Sequence, residues 1–262
     1  NTAPQQPKDD SSLCIARDAS KCILCGDCVR MCNEVQHVGA IDFAFRGSKM
    51  EISTAFGVPV ADSPCVGCGQ CAAVCPTGAI VVRNDLDKVW RALEKTDTKV
   101  TAQIAPAVRV ALGKAFHLRD GENAMGRIIA AMHRIGFDEV YDTSLGADLT
   151  VLEESETLLA HLERGETLPL FTSCCPAWVK FVEQYYPEFI KNLSSCRSPQ
   201  QMFGSLAKTI LAHTMGVNKD DIVVVSIMPC TAKKFEAKRP EFTREGISDV
   251  DHVLTTQELG RM

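Results

Sequence analysis

The residues best suited to chemistry are cysteines: the chain has thirteen, and eight of them fall into two blocks of one rhythm. The blocks read "CILCGDCVRMC" (Cys22, Cys25, Cys28, Cys32) and "CVGCGQCAAVCP" (Cys65, Cys68, Cys71, Cys75), each C-x-x-C-x-x-C-x-x-x-C. Three thiolates two residues apart on a tight loop can cap three irons of a cubane. The fourth, at the start of a helical turn, points the other way and reaches a second cluster. The spacing therefore assigns one [4Fe-4S] cluster to Cys22, Cys25, Cys28 and Cys75, and another to Cys65, Cys68, Cys71 and Cys32. Structural zinc needs two C-x-x-C pairs and has no use for the third and fourth cysteines in this rhythm. Gly26 and Gly69, each after the second cysteine of its block, let backbone N–H groups turn toward sulfide.

The repeated rhythm is that of a bacterial two-cluster ferredoxin, and it predicts an α+β ferredoxin-like two-cluster domain over residues 13–85. The first block ends "CNEV" without the proline of the second, a difference that removes no ligand. An odd cysteine count disfavours a complete set of internal disulfides. Cys14 stands alone as an expected free thiol, and a lone His37 carries no metal expectation.

Five cysteines lie outside the two blocks: Cys14, Cys174, Cys175, Cys196 and Cys230. The positions of the last four depend on the elements that follow. "DLDKVWRALEK" predicts a linking helix with Leu86, Val89, Trp90 and Leu93 on one side. Strands are predicted at "VTAQIAP", "DEVYD", "LPLFT" and "DIVVVSIM". Helices are predicted at "ENAMGRIIAAMHRIG", at "ADLTVLEESETLLAHLERG", from Pro176, and at "SPQQMFGSLAKTILAHTMG". The last has Ser198 as N-cap, Pro199 at the first position and Gln201 completing a capping box. Alternating strands and helices predict an α/β domain with a mostly parallel sheet over 86–262. Ligands in such folds bind beyond the carboxyl ends of strands. Ala105-Pro106, Cys174-Cys175 and Met228-Pro229-Cys230 are expected there together.

Composition bounds the partners. The 262 residues are 45% hydrophobic with a net charge of −5 and no basic stripe, which argues against nucleic acid. No apolar run approaches a membrane span. The opening "NTAPQQPKDDSS" lacks an initiator methionine and a signal pattern, so we expect a missing or processed N-terminus, a mobile segment over 1–12, and a cytoplasmic protein.

"TSCCPAW" and "MPCTAKKFE", joined to the double cysteine block, closely resemble the [FeFe] hydrogenases from about Ser12 onward. The resemblance implies reversible reduction of protons to H2 at an H-cluster, a [4Fe-4S] cubane bridged through a cysteine sulfur to a two-iron unit carrying CO, CN⁻ and a dithiolate. By motif position Cys175 and Cys230 are implied cubane ligands, while the Cys174 thiol passes protons to the two-iron unit. Lys233 is implied to hold a cyanide, supported by Glu236, and Ala105, Pro106, Ala107, Gln200 and Met228 to line the two-iron unit. The implied proton path runs from Cys174 through Glu154 and Ser194. Its outer acid falls at Thr157, with Glu156 beside it.

The family also needs two cysteines from a later glycine-rich motif, and this sequence ends at "TTQELGRM" before any such motif. We therefore expect a fragment, a split subunit or part of a longer enzyme, inactive alone, completed by a C-terminal fragment or partner subunits. Its expected electron partner is ferredoxin or another redox carrier. The alternatives are a non-catalytic relative in cluster assembly or sensing, and a subunit of an NAD-linked or electron-bifurcating complex. With no G-x-G-x-x-G fingerprint, any nucleotide would bind a partner.

Overall fold

The computed structural model describes residues 8–262. Among them the strands, in chain order, are β1 (Ile15–Arg17), β2 (Asp42–Ala44), β3 (Glu51–Ser53), β4 (Ile80–Val82), β5 (Lys99–Ile104), β6 (Glu139–Asp142), β7 (Ile222–Met228), β8 (Thr243–Arg244), β9 (Ile247–Ser248) and β10 (His252–Thr255). The α-helices are α1 (Asp27–Arg30), α2 (Gln70–Ala73), α3 (Leu86–Leu93), α4 (Val108–Ala111), α5 (Met125–Ile135), α6 (Ser144–Arg164), α7 (Pro176–Tyr185), α8 (Pro199–Leu206), α9 (Ala212–Met215), α10 (Ala232–Glu236) and α11 (Thr256–Leu259). The described residues cluster into two compact units, one of 8–83, 176–187 and 230–235, the other of 84–175, 188–229 and 236–262. Among the described residues, no helix is long and apolar enough to cross a membrane.

Apart from the ten-residue α7, the first unit is built from very short elements. β1 pairs antiparallel with β4, Ile15 opposite Val82, and β2 pairs antiparallel with β3. Of the N-terminal segment, residues 1–7 lie outside the described residues, whereas Asp9 bridges to Arg17 and its Oδ2 accepts from Val60 N–H at 2.9 Å. Gly26 (φ 78°) and Gly69 (φ 72°) open α1 and α2 in the left-handed region, where a side chain would strain the turn. Space also matters at Gly69, because a Cβ there would lie 2.6 Å from Thr231 Oγ1. The core is thin: Cys14, Ile15, Cys28, Val29, Ile41, Ile52, Val60 and Ile80 pack together, with further cysteines against them.

The second unit is organised by a parallel sheet of order β10-β7-β5-β6. Such a sheet is covered on both faces, which is why β7 reads as the continuous apolar run IVVVSIM. Its core joins Val100, Ala102, Ile104, Val224, Val225 and Ile227 of the sheet to Ile128, Met132 and Phe203 of the helices. The linking helix α3 forms as expected, with Val89 fully buried in this core. α5 ends at Gly136, and α6 at Gly165 in the left-handed conformation. α6 buries one narrow face at Gly146 and Thr150 and exposes a broad apolar one that includes Leu145, Val151, Leu152, Leu159 and Leu162.

Three local expectations are corrected. "LPLFT" adds no strand to the sheet: it makes a single bridge, Phe171 with Leu193, beyond the cis Leu168-Pro169 bond. The capping box at α8 is half made. Ser198 accepts from Gln201 N–H, but the fully buried Gln201 amide reaches no partner. The helix also runs through a π-type turn, Ala207–Leu211, before α9. A strand unforeseen from the sequence, β10, completes the sheet and feeds a full capping box in which Thr255 and Glu258 satisfy each other.

Candidate functional site

Two cysteine-lined hollows lie in the first unit. One is lined by Cys22, Cys25, Cys28 and Cys75 with Ile23, Ile52 and Ile80. The other is lined by Cys65, Cys68, Cys71 and Cys32 with Val38, Val60 and Val66. Each hollow thus takes three cysteines from one block and the fourth from the other. The chain path explains the crossing: each left-handed glycine turns its loop inward, and the short helix after it carries the last cysteine away. None of the thirteen cysteines is joined to another in a disulfide.

Burial pushes the Cys28 thiol up to about 11, helped by neighbouring Cys22 and Cys75, and raises Cys71, Cys65 and Cys68 in the same way. These thiols are therefore protonated near neutral pH, and loading metal on them must release protons. Backbone N–H groups already aim at the sulfurs, Ala40 to Cys32 at 3.3 Å and Gly67 to Cys65 at 3.4 Å. An apolar hollow with four thiols and inward N–H donors suits an iron-sulfur cubane. Cys14, 1% exposed, sits beside Cys65, and burial pushes it to about 12. Cys230 and Lys233 also belong to this unit; Lys233 is buried in α10, one turn past the half-buried Cys230.

In the second unit, the carboxyl end of the sheet carries Ala105, Pro106, Ala107 and Met228. Ala105 N–H bonds Ile227 C=O at 3.0 Å, so β5 and β7 end side by side. Ala105 and Met228 are buried there, while Pro106 and Ala107 are exposed. Gln200 is tied to the same sheet: Gln103 Nε2 donates to its carbonyl at 3.0 Å and to Ser226 Oγ at 2.7 Å, and Gln103 Oε1 accepts from Thr143 Oγ1. Gln103 was not foreseen. A glutamine in a strand whose residues from Val100 on are buried was the available signal. Ser198 Oγ and Gln200 Nε2 both donate to the buried Glu236 carboxylate, at 3.0 and 2.9 Å. Glu236 therefore anchors the start of α8.

Cys174 and Cys175 lie just before Pro176, both exposed. Their segment runs beside residues 192–196: Ser194 N–H bonds Phe171 C=O at 2.7 Å, and Ser173 Oγ donates to Cys196 C=O at 2.8 Å. α6 closes on this loop through its small face. A Cβ on Gly146 would come within 2.3 Å of Pro199 C=O, and Thr150 Oγ1 donates to Arg197 C=O at 3.3 Å. Glu154 is one turn further along the same face, and its Oε1 is buried. Ser194 is 6% exposed and receives Cys196 N–H on its Oγ. The structure thus gathers Cys174, Ser194 and Glu154 around one loop and one helix face. Thr157 continues that face, whereas Glu156 points to solvent.

Residues 98–262 match the family described as the iron only hydrogenase large subunit, C-terminal domain, and residues 21–79 match the 4Fe-4S dicluster domain. The chain is 46% identical over 261 residues to the NADP-reducing hydrogenase subunit HndD of Solidesulfovibrio fructosivorans, covering 97% of this chain and 45% of that protein. It is 39% identical over 254 residues to iron hydrogenase 1 of Clostridium pasteurianum, covering 97% and 44%. A solved variant of apo [FeFe]-hydrogenase HydA1 from Chlamydomonas reinhardtii matches with a TM-score of 0.64 and 42% identity over 67% of this chain and 46% of that one. The chain spans a little under half the length of these relatives. It belongs to the iron-only, or [FeFe], hydrogenase large-subunit family.

Proposed function

We propose that this chain is the electron-relay and proton-path portion of an [FeFe] hydrogenase that interconverts protons and H2. The observation that carries the reading is the crossed lining of the two hollows, three cysteines from one block and one from the other in each. Cys22, Cys25, Cys28 and Cys75 would hold one cubane, and Cys65, Cys68, Cys71 and Cys32 the other; such clusters would supply one-electron relay chemistry, and exposed Cys25, Ile23 and Phe43 offer ferredoxin or another redox carrier an accessible face beside the first. We place the protein in the cytoplasm.

By motif position, Cys175 and Cys230 would be two ligands of the H-cluster cubane, and Lys233 would supply a charged donor to a cyanide. Ala105, Pro106, Ala107, Gln200 and Met228 would face the two-iron unit. When bound, that group supplies the site where protons and electrons combine. Two thiolates do not complete a cubane, so the remaining ligands come from a further segment or a partner subunit. The residues of this chain handle the proton: the Cys174 thiol gives and receives it, Glu154 stores it, and Ser194 hands it outward. A second reading, favoured by the likeness to HndD, is that the chain works inside an NADP-linked complex whose nucleotide sits on a partner.

Cys32→Ala in the complete protein tests the relay. It should remove the cluster of the second block and leave that of the first, as read by iron content and electron paramagnetic resonance, with Cys75→Ala doing the converse. If Cys32→Ala instead empties the first block's own site, the crossed relay is wrong. Infrared bands of CO and CN⁻ in the same preparation separate a hydrogenase from a cluster-assembly relative.

A further inference from the structure

Thr231 follows Cys230 directly and stands just before α10. A threonine in that position usually serves its own helix, but the hydroxyl proton of Thr231 goes to another part of the chain. Thr231 Oγ1 donates to Gly67 C=O at 2.6 Å, 164 residues away in sequence and within the same compact unit. Thr231 is buried, so water does not compete for this bond. Gly67 lies between Cys65 and Cys68, which line the second cysteine hollow, while Gly67 itself lines an adjacent cleft with Cys14, Lys180 and Phe235. The hydroxyl therefore joins the loop of one cluster site to the segment that carries Cys230.

The contacts leave this loop little freedom. A Cβ on Gly67 would lie 2.6 Å from Cys14 Sγ, and one on Gly69 would lie 2.6 Å from Thr231 Oγ1 and 2.9 Å from its Cγ2. Both glycines hold φ at 72°, in the left-handed region. Gly67 N–H donates to Cys65 Sγ at 3.4 Å. The peptide from Gly67 to Cys68 is trans, so its N–H points opposite to the carbonyl that Thr231 holds.

We propose that Thr231 is a positioning residue for electron transfer: by holding Gly67 C=O it aims the amide N–H groups of loop 65–68 at the sulfurs of the cluster there and raises its reduction potential. This rests on the reading of Cys65, Cys68, Cys71 and Cys32 as ligands of one cubane. Hydrogen bonds to sulfur favour the reduced, more negative cluster. A carbonyl that accepts from a hydroxyl also polarises its own amide and strengthens the N–H as a donor.

The test is a redox titration of the complete, cluster-loaded protein followed by electron paramagnetic resonance, with the second cluster's signal assigned by its loss in Cys32→Ala. Thr231→Val keeps the shape and removes the hydroxyl. It should shift the one-electron equilibrium of that cluster about three- to tenfold toward the oxidised form, tenfold being a midpoint about 59 mV lower. Thr231→Ser keeps the hydroxyl and loses the methyl, and its midpoint should match the parent's. The first cluster should move in neither variant. Where Thr231→Val fails to load iron, Thr231→Ala carries the same expectation. An unmoved midpoint in the variants without the hydroxyl overturns the proposal. So does a shift in Thr231→Ser as large as in Thr231→Val, which would make Thr231 a packing residue. Iron for only one cluster in the parent would defeat the two-cluster reading itself, and the iron count shows that before any potential is measured.

Discussion

The two units solve the problem of a stable interior in opposite ways. The second unit has strands of up to seven residues and a large apolar cluster that includes fully buried Val224, Val225 and Leu254. The first has three-residue strands, two helices of four residues beside the ten-residue α7, and a core part of which is thiol. A sheet with a broad apolar interior folds on burial alone. The first unit has a smaller apolar core, and its two hollows lined by eight cysteines leave part of its interior to whatever fills them.

Iron removal puts the largest strain on this contrast. Chelation and oxidation of the clusters should raise amide exchange in 13–83 by about a hundredfold or more, while β5 and β7 stay protected. Hydrogen exchange with mass spectrometry reads both at once. Equal loosening of the two units would end the distinction. A smaller effect is expected at Gly146, where an added methyl meets Pro199 C=O, backbone that cannot swing aside. Gly146→Ala should cost about 1–3 kcal/mol in denaturant unfolding of the second unit. Gly126→Ala in α5, where nothing lies within 4 Å, is the control and should be neutral or stabilising by up to about 1 kcal/mol.

The smallest effect concerns His252 at the start of β10. Burial holds its pKa below the usual 6.5, partly countered by Asp251. The folded state prefers the neutral ring, so its contribution is complete above pH 6.5 and is lost as pH falls toward the lower folded value. Denaturant midpoints of the second unit should drop on acidification below that point. His252→Gln should flatten this part of the profile without changing exchange in the first unit.

Much of the second unit was legible because its elements are long enough to show a period. β5, β6, β7, α5 and α6 lie where alternation and caps place them. "LPLFT" misled because an apolar run of that length reads the same whether it joins a sheet or only crosses beside a loop. β10 was missed for the converse reason: four residues opening on His252 give no pattern, although Thr255 and Glu258 spelled a capping box immediately after. In the first unit the cysteine spacing carried nearly everything. The pairing of β1 with β4 was invisible, since three residues opposite three others more than sixty positions away leave no local trace. The proton-side cluster was half legible. Glu154 and Ser194 came from motif position, but Gln103 gains its place only when α6, α8 and the sheet meet.

The outward face of α6 has a practical consequence. Leu152 and Leu159 lie two turns apart, each more than half exposed, beside Val151 and Leu162. A greasy ridge of this kind on a 21-residue rod favours sticking between molecules. Ammonium sulfate, by strengthening apolar association, should bring this polypeptide out of solution early. Polar replacements at Leu152 and Leu159 should delay that precipitation without touching a single thiol.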